Sequence, residues 1–363
     1  MPGDVVFSYE TRLGEAALIP PGLRCCLGRR MGLLRTRPAQ ADPQFLLYAY
    51  LGPRFQETLR SRTIHGSTVD RIPLIEMDSF PIEVPEDINE QRAIANVLSA
   101  LDDKIELNRR MNETLEGIAR RIFKSWFVDF DPVRAKMKGR DPSLPKQLAD
   151  LLPGRLVQSE LGEVPEGWEV LSLDQIARFL NGLALQNYPP ADGRSLPVIK
   201  IAQLRAGNAD DADRASADLE GDYVVQDGDI LFSWSGSLEC VFWAGGLGAL
   251  NQHLFKVTSD KYPNWLCYFG IHHHLDDFRQ IAAGKATTMG HIQRHHLSEA
   301  RLAVPPLELL GTVDSLMTPI VERLWRSNVK IHTLAALRDA LLPKLVSGEL
   351  RVKNTEAIMD AVI

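Results

Sequence analysis

A chain of 363 residues, 45% hydrophobic and 24% charged, is long enough for two modest domains with real cores and too apolar for disorder. No apolar run approaches the ~18 residues of a membrane span, and Met1 is not followed by a charged-then-apolar signal, so the expectation is a cytoplasmic protein with no membrane partner. The net charge of −6 argues against an indiscriminate nucleic-acid binder, and four cysteines without zinc or redox spacing (Cys25, Cys26, Cys240, Cys267) fit a reducing compartment.

Residues 1–84 read as short strands and turns, with Val5-Val6-Phe7 a compact strand behind a Gly-Asp turn and a helix around Pro43–Arg60. The pattern changes at Pro85, which suits a first helical turn whose dipole Glu86 and Asp87 complement. Residues 85–130 are a long helix with heptad spacing through Ile94, Leu98, Leu101, Ile105, Asn108, Asn112, Leu115, Ala119, Ile122 and Trp126. Residues 131–162, rich in Pro, Lys and Arg, read as a linker with one short helix. Residues 163–304 form a complete α+β domain, its turns too frequent for a doubly wound sheet. Its strands are expected at Pro197–Ile201, Ile230–Ser233, Cys240–Trp243 and His253–Val257, with a helix over Asn264–Ala283. Residues 305–350 repeat the long helix, from Pro306 to Val346 with Ser347-Gly348 as its stop, and 351–363 is a tail. Each long helix carries a narrow apolar stripe that turns polar near its middle, at Asn108/Asn112 and Ser327/Asn328. The economical arrangement buries one stripe on the other as an antiparallel coiled coil.

The chain also repeats itself. Gly3-Asp4-Val5-Val6-Phe7-Ser8 recurs as Gly228-Asp229-Ile230-Leu231-Phe232-Ser233, an offset of 225, and the offset is 220 at Asn108/Asn328 and Lys124/Lys344. A period that long is a duplicated domain-plus-helix module rather than a solenoid. Positions 163–225 have no counterpart before Met1, so the first module is expected to begin part-way through its own globular domain, as a shortened variant or through a misplaced start.

No catalytic constellation emerges. Consecutive residues of a helix point about 100° apart, so His272-His273-His274 cannot converge on one metal ion. His291, His295 and His296 are better spaced, but no glutamate stands beside them as in H-E-x-x-H. Asn187-Tyr188-Pro189-Pro190 scrambles the amino-methyltransferase motif, Gly284-Lys285-Ala286-Thr287 is no P-loop, and Asp102-x-Lys104 lies on a helix face. No metal and no cofactor is expected. What remains is binding chemistry: loops dense in Ser, Asn, Gln and His match base edges and phosphates without net charge. The candidate DNA-binding residues are Lys200, Gln203, Arg205, Ser233, Trp234, Ser235, Ser237, Asn251, Gln252, His253, Thr287, Thr288, His291, Gln293 and Arg294.

These residues carry a resemblance. Gly-Glu-Val-Pro-Glu-Gly-Trp (162–168), Gly-Asp-Ile-Leu-Phe-Ser-Trp-Ser-Gly-Ser (228–237), Gly-Ala-Leu-Asn-Gln-His-Leu-Phe-Lys-Val (248–257) and Pro-Pro-Leu (305–307) are similar to the specificity subunit of type I restriction–modification systems. Asn-Glu-Gln-Arg-Ala-Ile-Ala (89–95) and Leu-Pro-Lys-Leu-Val-Ser-Gly-Glu-Leu (342–350) extend the resemblance over nearly the whole chain. It implies two target recognition domains, each reading half of a bipartite duplex DNA site, spaced by the antiparallel helices. It implies a non-catalytic subunit, with methylation and cleavage in separate modification and restriction subunits docked on it. The competing account is a coiled-coil assembly protein with no DNA-reading role, which explains the helices but not the two Gly-Asp-hydrophobic-Phe-Ser domains.

Overall fold

Gly3 and Gly228 both hold positive φ, 85° and 90°, at the turn that launches the repeated strand of each module, Val5–Ser8 and Ile230–Ser233. Only glycine takes that backbone without steric cost, which accounts for the repeated Gly-Asp. The aspartate that follows is anchored in both copies: Arg35 donates to both Asp4 carboxylate oxygens at 2.6 and 2.7 Å, and Lys256 lies 2.8 Å from Asp229. The computed structural model describes residues 1–37, 40–190, 193–284 and 290–352. The chain divides into two units, Met1–Leu107 with Thr333–Ile363, and Asn108–His332.

In the first unit β1 (Val5–Ser8), β2 (Ala16–Leu18) and β3 (Met31–Leu34) form an antiparallel sheet in the order β2-β1-β3. Two helices follow, α1 (Pro43–Leu51), capped by Asp42, and α2 (Pro53–Arg62). The single helix expected over Pro43–Arg60 breaks at Gly52-Pro53, because Pro53 has no N–H and forces Gly52 extended. Phe7 packs with Tyr50, Phe55, Leu59, Ile72 and Phe80 into a small core. The long helix α3 (Ile88–Phe123) begins here and buries Ile94, Leu98, Leu101 and Ile105. Residues 333–346 of the C-terminal helix run antiparallel to it: Arg351 pairs with Glu90, and Arg338 reaches Asp102 at 2.7 Å.

The second unit takes up α3 at Asn108. The helix ends in a wide π turn, Lys124–Val128, and Phe130 (φ 56°) stops it. The stretch expected as a linker is folded: α4 (Asp131–Met137), α5 (Lys146–Leu151) and a hairpin of β4 (Leu156–Ser159) with β5 (Gly162–Pro165). Val133, Leu148 and Leu152 share a core with Trp168, whose indole meets Phe130 edge-on at 5.6 Å. Spacing alone could not show that these sparse apolar residues find one tryptophan.

The rest of this unit is layered. In chain order come β6 (Glu169–Ser172), α6 (Leu173–Ile176), β7 (Arg178–Asn181), β8 (Ser195–Ile199), α7 (Ile201–Ala206), β9 (Arg214–Ser216) and β10 (Val224–Val225). Then follow β11 (Ile230–Ser233), β12 (Cys240–Phe242), β13 (Gly248–Leu250), β14 (Leu254–Thr258), α8 (Asn264–Ala283), α9 (Arg294–Glu299), β15 (Arg301–Val304) and α10 (Leu307–Val346). One sheet has the order β12-β11-β14-β7 and the other β10-β13-β8-β9; β15 pairs with β6. Alternation decides the layers. Phe232 and Phe255 pack with Phe278 of α8, whereas Leu231 and Leu254 pack with Ile199, Val225 and Leu250 of the other sheet and with Trp243 just after β12. Across the two long helices, Ser327 Oγ donates to Asn108 Oδ1 at 3.2 Å and Asn112 Nδ2 to Asn328 Oδ1 at 2.7 Å. Among the described residues no helix is long and apolar enough to cross a membrane.

The duplication extends to strand register. Val5 faces Leu18 and Leu34 as Ile230 faces Phe242 and Val257; Phe7 faces Ala16 and Gly32 as Phe232 faces Cys240 and Phe255.

Candidate nucleic-acid interface

At the end of β11 the chain turns through Trp234–Ser237, and three loops meet there. The Trp234 indole Nε1 donates to the Gln252 carbonyl at 3.1 Å, Ile292 N to the Trp234 carbonyl at 2.9 Å, and Gly236 N to the Gly290 carbonyl at 2.8 Å. Ser235 pairs with His291 in an isolated bridge, and its hydroxyl lies 3.1 Å from His253 Nδ1. The Trp234 ring sits 5.7 Å from that of His253 and 6.2 Å from that of His291. Loops 234–237, 251–253 and 290–292 therefore form one edge.

The second sheet is brought to this edge by a close backbone approach. Gln252 N donates to the Leu183 carbonyl at 2.9 Å, and Asn251 N to the Ile199 carbonyl at 3.3 Å. Gly182 permits it: a Cβ there would lie 2.3 Å from the Asn251 carbonyl oxygen. The result is a cleft of about 630 Å³ lined by Lys200, Asn251, Gln252 and His253, together with Gln186, Asp213 and Arg214. Asp213 pairs with Lys200, which holds its carboxyl below the ordinary range. Arg214 donates to Ser195 through Nε and Nη2, at 3.0 and 2.8 Å. The cleft thus offers amides, an imidazole, the Arg214 guanidinium and a Lys200–Asp213 ion pair, a set suited to base edges and phosphates.

Not every expected residue joins it. Ser233 is fully buried, its hydroxyl donating to the Ser237 carbonyl at 2.6 Å and accepting from Glu239 N at 2.8 Å, so the Ser233 side chain is spent on the turn, whereas Ser237 is exposed. Gln203 Oε1 accepts from Lys200 N at 3.3 Å, and Arg205 is exposed at the end of α7 without lining the cleft. Gln293 caps α9; Arg294 lies 5.7 Å over the Phe255 ring and lines a separate groove of about 850 Å³ with Arg178 and Lys261. Thr287 and Thr288 lie outside the described residues. Sequence reasoning missed Gln186 and Arg214: they reach the cleft only because a turn and β9 flank β8, a pairing no local pattern announces.

The histidines have other work. His272 Nε2 lies 3.0 Å from the Cys240 carbonyl and its Nδ1 3.1 Å from Arg120; His274 lies 3.0 Å from the Arg301 carbonyl. Burial holds the His272 imidazole down at about 4 and lowers His273 and His274. The triplet lies in the middle of α8. His295, His296 and Glu299 bring possible ligand atoms within 4.8 Å of one another. However, His296 Nδ1 accepts the Gln293 N–H at 2.9 Å, which leaves the neutral ring protonated at Nε2 with no lone pair for a metal. Asp102 accepts from Tyr48 Oη at 2.6 Å and from Arg338, a packing role.

A duplicated α+β domain on paired long helices, with polar loops gathered on one edge, is the architecture of a recognition protein. The profile of the Type I restriction modification DNA specificity domain matches residues 2–117 and 165–326. The chain is 28% identical over 322 residues to the type I restriction enzyme MjaIX specificity subunit of Methanocaldococcus jannaschii, covering 86% of this chain and 70% of that one. It is 24% identical over 368 residues to the HindI specificity subunit of Haemophilus influenzae, covering 85% and 77%. The fold matches the solved S subunit of a type I system from M. genitalium with a TM-score of 0.55 at 16% identity, over 95% of this chain and 83% of that one. The chain belongs to the type I restriction–modification specificity family. Its role is DNA-sequence recognition, not methylation or cleavage.

Proposed function

We propose that the Asn108–His332 unit reads one half of a bipartite duplex site through the cleft at Lys200, Asn251, Gln252 and His253, with Gln186 and Arg214 as further contacts. The observation that carries this is convergence: polar residues from positions 186 to 291 meet on one edge where two sheets abut. A side-chain amide pairs with adenine through two hydrogen bonds, and a guanidinium with guanine or a phosphate. Arg294, with Arg178 and Lys261 in the neighbouring groove, serves the backbone. The recognition domain spans 163–304, and the helices of 85–130 and 305–350 are the seat for modification and restriction subunits, in the cytoplasm where their DNA is. Leu307 and Leu316, 55% and 44% exposed on α10, offer apolar contacts for such a partner.

The test is selection of preferred duplexes from a randomised pool, followed by binding of Gln252→Ala and Arg294→Ala variants. Gln252→Ala should cost ~1–3 kcal/mol on the preferred duplex and far less on random DNA. Arg294→Ala should weaken binding to both alike and lower its salt dependence. An unchanged preference in Gln252→Ala would remove the cleft from the reading surface. Failure to enrich any sequence would favour an assembly role without reading.

A further inference from the structure

The hydrogen bonds that build the second unit's reading edge recur in the first unit with different side chains. Tyr9 Oη donates to the Arg29 carbonyl at 2.6 Å, as Trp234 does to that of Gln252. Tyr9 N donates to the Arg30 carbonyl at 3.2 Å and Ile72 N to the Tyr9 carbonyl at 2.9 Å, as Trp234 N does to His253 and Ile292 N to Trp234. Glu10 forms an isolated bridge with Arg71, as Ser235 does with His291, and Glu10 holds Arg30 at 3.3 Å as Ser235 holds His253. The frame therefore puts Arg29, Arg30 and Arg71 where the other unit has Gln252, His253 and His291.

That exchange changes the chemistry. Loops 8–12 and 24–30 hold four arginines and one glutamate, whereas 233–237 and 247–253 hold no formal charge. Arg29 and Arg71 are exposed and make no ion pair among the described residues. Nor does a second sheet face this edge among the described residues of the first unit. Leu231, which packs on that sheet, is fully buried, while its repeat counterpart Val6 is only half-buried and Ala17, paired with Val6, is exposed. The described residues thus build no cleft wall to seat a base edge. An open row of guanidiniums meets phosphates, which any sequence presents.

We infer that the Met1–Leu107 unit grips the duplex phosphate backbone through Arg29, Arg30 and Arg71, adding affinity without sequence preference. This rests on the reading of the chain as a DNA-binding subunit, and the experiment separates the two. The full chain and its Arg29→Ala/Arg30→Ala/Arg71→Ala variant are titrated onto preferred and random duplexes over a salt series. Each is also used to select from a randomised pool. The variant should bind both duplexes more weakly by the same factor. Its log–log salt slope should shrink by roughly 2–3, about 0.9 for each phosphate no longer neutralised, and it should enrich the wild-type consensus. The triple lysine variant keeps the charge and should keep the slope. If the triple alanine variant fails to fold, Arg29→Ala alone, at an exposed side chain, should lower the slope by roughly 1. An unchanged slope in a folded variant, or an altered consensus, overturns the inference while leaving DNA reading intact. A wild-type chain that binds no duplex overturns both.

Discussion

Asn112 and Asn328 join the two long helices within the second unit, Nδ2 of the first donating to Oδ1 of the second at 2.7 Å. Asn328 is the repeat counterpart of Asn108, which accepts from Ser327, so the polar middle of each helix seam is used by the other helix. Asn112 Oδ1 is buried without a partner, so the layer is already incompletely satisfied. Asn328→Leu leaves the Asn112 amide only its longer bond to the Leu324 carbonyl, at 3.3 Å, and should cost roughly 1–3 kcal/mol by urea unfolding. Asn112→Leu/Asn328→Leu removes both partners and should recover most of that loss. A double variant as unstable as the single one would show that the layer holds more than this bond.

Leu101 lies fully buried on α3 in the first unit. Leu101→Ala removes its packing and leaves a cavity, with an expected loss of about 2–5 kcal/mol. Stability equal to wild type in denaturant would mean the helix stripe is not buried as described.

Gly182 is irreplaceable for a local reason. Any Cβ meets the Asn251 carbonyl oxygen at 2.3 Å, a backbone atom that no side-chain rotation can clear, so one of the two segments has to move. Gly182→Ala should cost roughly 1–3 kcal/mol and displace the 251–253 loop. Its selectivity for the preferred duplex should fall well below that of Arg205→Ala, whose side chain lies outside the cleft. Equal selectivity in the two variants would separate the loop from recognition.

Stability should fall with acid through His272. Burial lowers its folded pKa from 6.5 to about 4, so the unfolded chain takes up the proton first. The contribution is complete above pH 6.5 and drains away as pH drops toward 4, on the order of 3 kcal/mol in all. His273, His274 and His332 are lowered by burial in the same direction. His272→Gln should flatten the stability–pH curve over that window; a slope identical to wild type would count against it.

The long helices, the duplication and β11 and α8 were legible because each rests on local patterning: a seven-residue stripe, a repeated Gly-Asp turn, a run bounded by turns. So was the polar character of the loops at Trp234–Ser237 and Asn251–His253, which lie next to recognisable strands. The break at Gly52-Pro53 was equally local, but the apolar residues around it mimic one continuous helix. Other features depended on contacts between distant positions. Trp168 turned the stretch expected as a linker into core. The pairing of β8 with β9 and β13 carried Gln186 and Arg214 to Gln252, and two hydrogen bonds withdrew Ser233 from the surface. That Arg29 and Arg30 stand in the places of Gln252 and His253 is invisible in the alignment of letters, where the loops differ in length and composition. It follows from backbone hydrogen bonds, which the fold conserves because buried peptide groups must be paired whatever side chains they carry.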